Sequence, residues 1–483
     1  MIDIRPVAHP IGKITAVLGA AMALPMAVDW WHGDPHWMRF LESGLITLVI
    51  GWLIAVASRN RHRALTIQQA FLLTSGLWAV VPVFGALPFV WGDPHASLTD
   101  ALFEAMSGVT TTGATAFPDL DDMPHGIHLW RAILHWIGGL GIVVVAMVFM
   151  PVMKVGGMQF FRSEGFDTLG KIMPRAGEIA GEMARIYILL TGACILTFMM
   201  LGMEGFDAVV NALGTVSTGG FSNRDASFAA FAGAPEWAAS AFMLLASIPF
   251  IRMAQAFRGD PAPLWRDSQI RAYLRWTLYA CAIIMVWRLI HETGTLHPLD
   301  MLRGTVFNTV SIFSGTGFLS ADVTGWGHLP FAVLIVCGLI GGCTGSTACS
   351  VKVFRYLVLF QAVRAQVRRM HSPHRVYALR HEGRALDKDV IDSVMAFFTL
   401  FMLTFGLLIV GLSMTGLHPR TALTAAWTAI ANIGPVWGPE ITANGSVAEF
   451  PAPAKWLMIL GMYLGRLELV SVLVLLLPKF WRG

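Results

Sequence analysis

Apolar stretches of span length recur from one end of the chain to the other, and that recurrence limits what it can fold into. A run such as "ITAVLGAAMALPMAVDWW" (14–31) is long enough, as a helix, to cross hydrocarbon about 30 Å thick. No water satisfies backbone N–H and C=O groups at that depth, so only helices and closed barrels cross it. Continuous apolar runs, not alternating ones, select the helix. The chain is therefore read as an all-α integral membrane protein. Its composition is 55% hydrophobic and 13% charged, where soluble domains carry about 25% charged residues. A second span follows the first run closely, so the first is not expected to be a removable signal peptide.

Ten spans are expected near 11–30, 41–58, 69–91, 130–151, 183–203, 236–256, 273–292, 329–360, 392–415 and 455–478. With the N-terminus inside, most of the 34 Lys and Arg residues fall on the inner side. They include Arg59, Arg61 and Arg63, a group from Lys154 to Arg185, and nine between Lys352 and Lys388. This bias places both termini in the cytoplasm and accounts for the +4 charge without a nucleic-acid partner. Cys194, Cys281, Cys337, Cys343 and Cys349 all lie in apolar segments and are read as small packed residues, not a disulfide framework. His125, His128 and His135 have no carboxylate or thiol at ligand spacing, so no transition-metal site is expected.

After two spans the chain falls into a rhythm: a span, a short apolar run, a polar Gly/Thr strip, another span. The short runs are "LTDALFEAMSGV" (98–109), "GFDAVVNALGTV" (205–216), "PLDMLRGTVFNTVSIF" (298–313) and "RTALTAAWTAIANI" (420–433). Each is too short to cross and reads as a re-entrant half-helix. The strips that follow are "TTTGAT" (110–115), "STGGFS" (217–222), "SGTGFLS" (314–320) and "GPVWG" (434–438). Gly113, Gly220 and Gly317 each sit ten residues after an apolar side chain and six after a small one; Gly434 has Thr424 and Thr428 there. Irregular backbone at membrane depth is tolerated where protein buries it or where it lines a watery cavity. Four such strips around one axis would ring a hole with carbonyls, glycine permitting close approach and half-helix C-termini favouring a cation.

The motifs "FEAMSGVTTTGAT", "HWIGGLGIVV", "STGGFSN", "SGTGF", "GGCTGST" and "GRLEL" together resemble the Trk/Ktr/HKT superfamily of potassium transporters, and within it the TrkH-type membrane subunit, over essentially the whole chain. The resemblance implies four span–pore-helix–span repeats around a central pore, preceded by two spans. It also implies a homodimer with one pore per subunit, potassium uptake across the bacterial inner membrane, and a cytosolic TrkA-like nucleotide-binding regulatory subunit. The divisions it suggests are 1–65 for the two-span appendage, then 66–162, 163–262, 263–388 and 389–483 for the four repeats. Carried over by motif, the K+ filter would comprise Thr111, Thr112 and Gly113, then Thr218, Gly219 and Gly220, then Gly315, Thr316 and Gly317, then Asn432, Ile433 and Gly434. The fourth strip departs from the pattern because it lacks a hydroxyl. Gly113 stands where sodium-preferring plant relatives carry serine, which favours potassium, with some rubidium passage and less selectivity than a dedicated channel. No nucleotide motif and no resident cofactor are expected in the chain; K+ is the bound and transported ion.

The stretch 329–360 would measure about 48 Å as one helix, far more than the hydrocarbon needs. Its middle, "GLIGGCTGSTACS" (338–350), is rich in glycine and hydroxyls, so a break is expected. The resemblance makes this an intramembrane gating loop, with Gly341, Gly342, Thr344, Gly345, Ser346 and Thr347 as its residues. Arg466 lies about 16 Å along the last span from Lys455, a depth at which a charge is a functional candidate. The resemblance puts it in the ion path below the filter. Glu468 falls on another helix face and makes a poor local partner. Asp119, Asp121 and Asp122 either concentrate cations outside or form a solvated turn. The basic segment 364–390 contacts either anionic lipid or a cytosolic partner.

A secondary carrier for another cation or solute is the alternative; such folds show two related halves and intramembrane acids, where this chain shows four quarters and few candidate acids. An enzyme is not expected, since neither paired acids, a Ser–His pair nor an HExxH helix is found.

Overall fold

A computed structural model of the chain describes residues 3–59, 65–148, 153, 176–292, 297–372, 379–382 and 384–482. The expected boundary between 162 and 163, and the inner-side cations Arg61, Arg63, Lys154, Arg162, Lys171, Arg175 and Arg375, lie outside the described residues. Among the described residues seven helices are long and apolar enough to cross a membrane: Arg5–His32, Trp37–Ala57, Ile67–Trp91, His125–Ala146, Gly177–Met200, Ser268–His291 and Lys388–Met414. An eighth candidate, Ala234–Ala246 with Phe250–Phe257, is bent by 97°. The remaining two expected spans are interrupted, as His328–Ile340 with Val353–His371 and as Ala452–Arg466 with Val470–Leu475. The fold is thus an all-α multi-span membrane fold. Among the described residues its one addition is a two-stranded antiparallel ladder, Arg380–His381 against Arg384–Ala385, in the inner connector.

Four short helices sit inside this ring of spans: Leu98–Val109, Gly205–Val216, Pro298–Ser314 and Pro419–Ala431. The third and fourth open with proline at the first helical position, where its missing N–H costs nothing. Nearly all residues of their outgoing halves are buried, and Phe103, Val210, Phe307 and Trp427 are among the most enclosed side chains. By contrast Leu278, Leu403, Leu407 and Val410 on the long spans are exposed, as helices facing lipid tails require. Two of the breaks have local causes. Pro249 stands at the bend after Ala246, where proline ends one helix and starts the next. Glycines 341 and 345, at φ +74 and +78, take the chain out of helix in the eighth span.

The first two spans are bound by small residues. A Cβ built on Gly19 would lie 2.5 Å from the backbone N of Leu48, and one on Gly51 2.4 Å from that of Ala16. Backbones this close need glycine at the crossing. Replacing Gly19 with leucine should push the pair apart and cost about 1–3 kcal/mol, the usual range for overpacking. A thermal melt of the purified protein in detergent checks this, and Gly177→Ala, where a Cβ meets nothing, should leave the melt unchanged.

Candidate functional site

The four pore helices end alike. In each, the residue two before the aligned glycine has a left-handed backbone: Thr111 at φ 52, Thr218 at 51, Gly315 at 79 and Asn432 at 53. The next residue's N–H returns to a carbonyl five back: Thr112 to Ser107 at 2.9 Å, Gly219 to Gly214 at 2.9 Å, Thr316 to Ser311 at 2.9 Å, Ile433 to Thr428 at 3.3 Å. This is the six-to-one bond of a Schellman ending, in which a left-handed residue satisfies the helix's last carbonyls. A β-branched residue in that region is a strained outlier, so two threonines there mark a place the surroundings over-determine. The aligned glycines are left-handed as well, at φ 85, 81, 83 and 111 for Gly113, Gly220, Gly317 and Gly434.

These glycines close a cycle. A Cβ on Gly113 would lie 2.2 Å from the carbonyl oxygen of Gly219. The same construction puts one on Gly220 1.9 Å from Thr316, on Gly317 1.7 Å from Ile433, and on Gly434 2.8 Å from Thr112. Each strip therefore meets its neighbour through the same pair of positions, and the fourth returns to the first. Any side chain at Gly113, Gly220 or Gly317 would drive into a backbone carbonyl. Outside the ring lies a cavity of about 90 Å³ bounded by all four glycines and by Arg131, Arg224, Asp225 and Asn444. In this vestibule Arg224 pairs with Asp207 at 3.0 Å, and that hydrogen bond raises the guanidinium further above its ordinary range. Asp121 lies 3.9 Å from Arg224, at the edge of this group.

Each strip is also clamped from behind by its own pore helix, at the residue three past the glycine. Glu104 accepts from the N–H of Ala116 at 2.8 Å, Asn211 bonds Asn223 at 3.1 Å, Asn308 accepts from the N–H of Ser320 at 3.1 Å, and Thr424 accepts from the N–H of Trp437 at 3.1 Å. Neighbouring strips are tied sideways. Arg131 bonds Glu104 at 2.7 Å, donates to the Ser222 carbonyl at 2.9 Å and lies 4.1 Å over the Phe221 ring. His135 contacts the Gly108 carbonyl at 2.7 Å through Nδ1 and accepts from the Phe221 N–H at 3.2 Å through Nε2, which makes it neutral with the proton on Nδ1. Asn432 donates to Thr112 Oγ1 at 2.9 Å and to the Met462 carbonyl at 3.0 Å. Its side chain thus stands behind the strips. Few membrane-depth acids are expected from the sequence; Glu104 is one, buried and paired with Arg131. Among the described residues no group of three His, Cys, Asp or Glu could hold a metal ion.

The loop 341–352 lies against the pore-helix ends, bonded to the bend at Pro249. Cys343 donates to the Ser247 carbonyl at 3.0 Å, the Thr347 hydroxyl to Ala246 at 3.0 Å and Val216 at 3.2 Å, and Phe250 N–H to Gly345 at 2.9 Å. Thr344 N–H reaches Gln269 at 3.1 Å and Ser346 bonds back to Cys343 at 2.6 Å, while Gly342 packs against Ala348 and Ser247 too closely for a Cβ. Gly338, expected inside the loop, remains helical. Arg466 is 3% exposed. Its guanidinium contacts Cys349 Sγ, the Thr347 carbonyl at 3.5 Å and the Gly138 carbonyl at 3.3 Å. Cys349 is also 3.5 Å from Thr111 Oγ1, so it joins loop to strip and is more than a packing residue. The last span is not continuous: it breaks after Arg466, with Glu468 left-handed at φ 57.

A closed ring of re-entrant strips with a buried cation at a loop beneath defines an integral membrane transport protein. The family model described as "Cation transport protein" TrkH matches residues 36–482, and the chain belongs to that family. It is 37% identical over 479 residues to the Trk system potassium uptake protein TrkI of Halomonas elongata, covering 99% of this chain and 97% of that one. It is 33% identical over 486 residues to the Trk system potassium uptake protein TrkH of Vibrio parahaemolyticus, covering 99% of each. The crystal structure of the potassium transporter TrkH from the same organism superposes with a TM-score of 0.92 at 32% identity, over 100% of both chains. The chain is accordingly a multi-pass inner-membrane transporter and not an enzyme.

Arg131→Met would strand the Glu104 carboxylate in a dry site, a loss of about 3–5 kcal/mol when one partner of a buried pair is removed. The melting temperature in detergent should fall by several degrees, and adding Glu104→Gln to the same chain should restore much of it.

Proposed function

We propose that this chain is the membrane pore of a potassium uptake system, with the ring of four strips as its selectivity filter. The supporting observation is the cycle in which Gly113, Gly220, Gly317 and Gly434 each face the carbonyl preceding the next glycine. Rings of backbone carbonyls that replace a hydration shell hold K+ in channel filters. Thr112, Gly219, Thr316 and Ile433 supply such carbonyls here, with Thr111, Thr218, Gly315 and Asn432 turning the chain beneath them. Asn432 contributes through its backbone, since its side chain is committed to Thr112 and Met462. This removes the difficulty that the fourth strip lacks a hydroxyl, because the ring depends on main-chain oxygens.

In the same reading the loop with Gly341, Gly342, Thr344, Gly345, Ser346 and Thr347 is the gate, and Arg466 holds it across the path. A fixed positive charge at that depth raises the barrier to a cation. The repeats divide at 66–162, 163–262, 263–388 and 389–483 after the 1–65 appendage. The protein acts as a homodimer whose inner face receives a TrkA-like nucleotide-binding regulator through the basic connector.

Two flux measurements test this in liposomes loaded with the purified protein, following ⁸⁶Rb⁺. In wild type, K⁺ should compete strongly and Na⁺ weakly. Gly113→Ser, whose Cβ meets the Gly219 carbonyl, should cut that discrimination by about tenfold or more, as a shift of about 1.4 kcal/mol would. Arg466→Ala should raise flux in the absence of the regulator. Absence of cation flux under every gradient, with or without the cytosolic partner, would return the carrier reading to first place.

A further inference from the structure

We infer that Glu468 is a positioning residue that latches the gate closed, an inference that rests on the gating reading above. The Glu468 carboxylate is 4% exposed and pairs with the Arg355 guanidinium. Its other oxygen lies 4.0 Å from Lys352 Nζ and makes no hydrogen bond. Arg355 is 2% exposed, donates to the Val351 carbonyl at 2.8 Å and lies 3.9 Å over the Phe397 ring. Lys352 is 4% exposed. The two helix breaks of the lower membrane half therefore meet in one ion cluster. Arg466 holds the middle of the loop at Thr347 and Cys349, and two residues later Glu468 holds its exit.

Two features distinguish this cluster from structural cement. First, Lys352 and Arg355 face the same carboxylate, and among the described residues both Glu468 Oε1 and Arg466 Nε are buried without a hydrogen-bond partner. Most buried polar atoms have a partner, so two unpaired ones in a single ion cluster call for an explanation. Second, Ser350, Lys352 and Glu468 all hold left-handed backbones, at φ 69, 77 and 57, a conformation costly for such residues and concentrated at switch regions. The ion pair maintains strain that would otherwise relax. It also sits where force arrives. The helix Val353–His371 begins at the latch and runs 19 residues, about 28 Å, to the basic inner connector with Arg364, Arg368 and Arg369. A partner that moves this helix also moves Lys352 and Arg355 at its start. Parting Arg355 from Glu468 frees the loop exit and the break in the last span together.

The test compares variants that change the buried charge in opposite directions. In liposomes without the regulator, Glu468→Gln and Arg355→Gln should each raise ⁸⁶Rb⁺ flux about tenfold, the population shift of a weakened two-state lock. The exchanged pair, Arg355→Glu with Glu468→Arg, should return flux toward wild type. Lower flux in Glu468→Gln with higher flux in Arg355→Gln would mean that the cluster is a fixed charge barrier, and would overturn the latch. Unchanged flux in both, with flux raised by Arg466→Ala, would overturn the latch and leave the gate standing; no change in Arg466→Ala would sink the gate itself. Should Glu468→Gln not fold, Glu468→Asp keeps the charge and shortens the reach. Raised flux there supports the latch and wild-type flux contradicts it.

Discussion

Everything in this molecule depends on how backbone polar groups are satisfied where no water reaches them. Four helices stop halfway through the membrane, and each would leave bare carbonyls and N–H groups in hydrocarbon. The Schellman endings at Thr111, Thr218, Gly315 and Asn432 satisfy the last turn of each; beyond it Glu104, Asn308 and Thr424 accept from backbone N–H groups, and Asn211 ties to the Asn223 side chain. The carbonyls of Thr112, Gly219, Thr316 and Ile433 face the neighbouring glycines instead. In the proposed reading these are the oxygens offered to an ion.

The clamps are chemically different in each repeat, although they act at equivalent places. Repeat one uses a carboxylate with Arg131, repeats two and three use asparagines, and repeat four uses a threonine. An exact fourfold ring would share its contacts equally; here Arg131 and His135 brace the first and second strips, and Asn432 ties the fourth to the first. The helix carrying Arg466 is fastened to the strips through Asn432 and Met462. Gly465 permits this, since a Cβ there would lie 2.1 Å from the Ile430 carbonyl. Loop, last span and the four strips are thus joined by direct contacts, and a displacement in the loop reaches the ring through few intermediates.

Much of this was legible in the chain. Half-helices too short to cross, glycines at equal offsets and an over-long eighth span are local patterns, and the helices and the break at 341–352 lie close to where those patterns put them. The bend at Pro249 has a local signal, "SIPF" (247–250), inside the stretch 236–256 expected as one span. Glu468 was discounted because i and i+2 do not share a helix face. That argument assumes an unbroken helix, and the helix ends at Arg466. Partners such as Arg355, 113 residues away along the chain, and Arg131, which reaches across to Ser222, have no local signature at all. Buried acids looked scarce for the same reason: Glu104 reads as a helix residue until its arginine is seen beside it.

Anomalous diffraction from crystals grown in Rb⁺ tests whether the carbonyls of Thr112, Gly219, Thr316 and Ile433 hold the transported ion. A peak is expected on the axis, equidistant from those four oxygens, that weakens when K⁺ replaces Rb⁺ and persists when Na⁺ is added. A ring without a peak, with rubidium bound only in the outer vestibule beside Asp225, would contradict it.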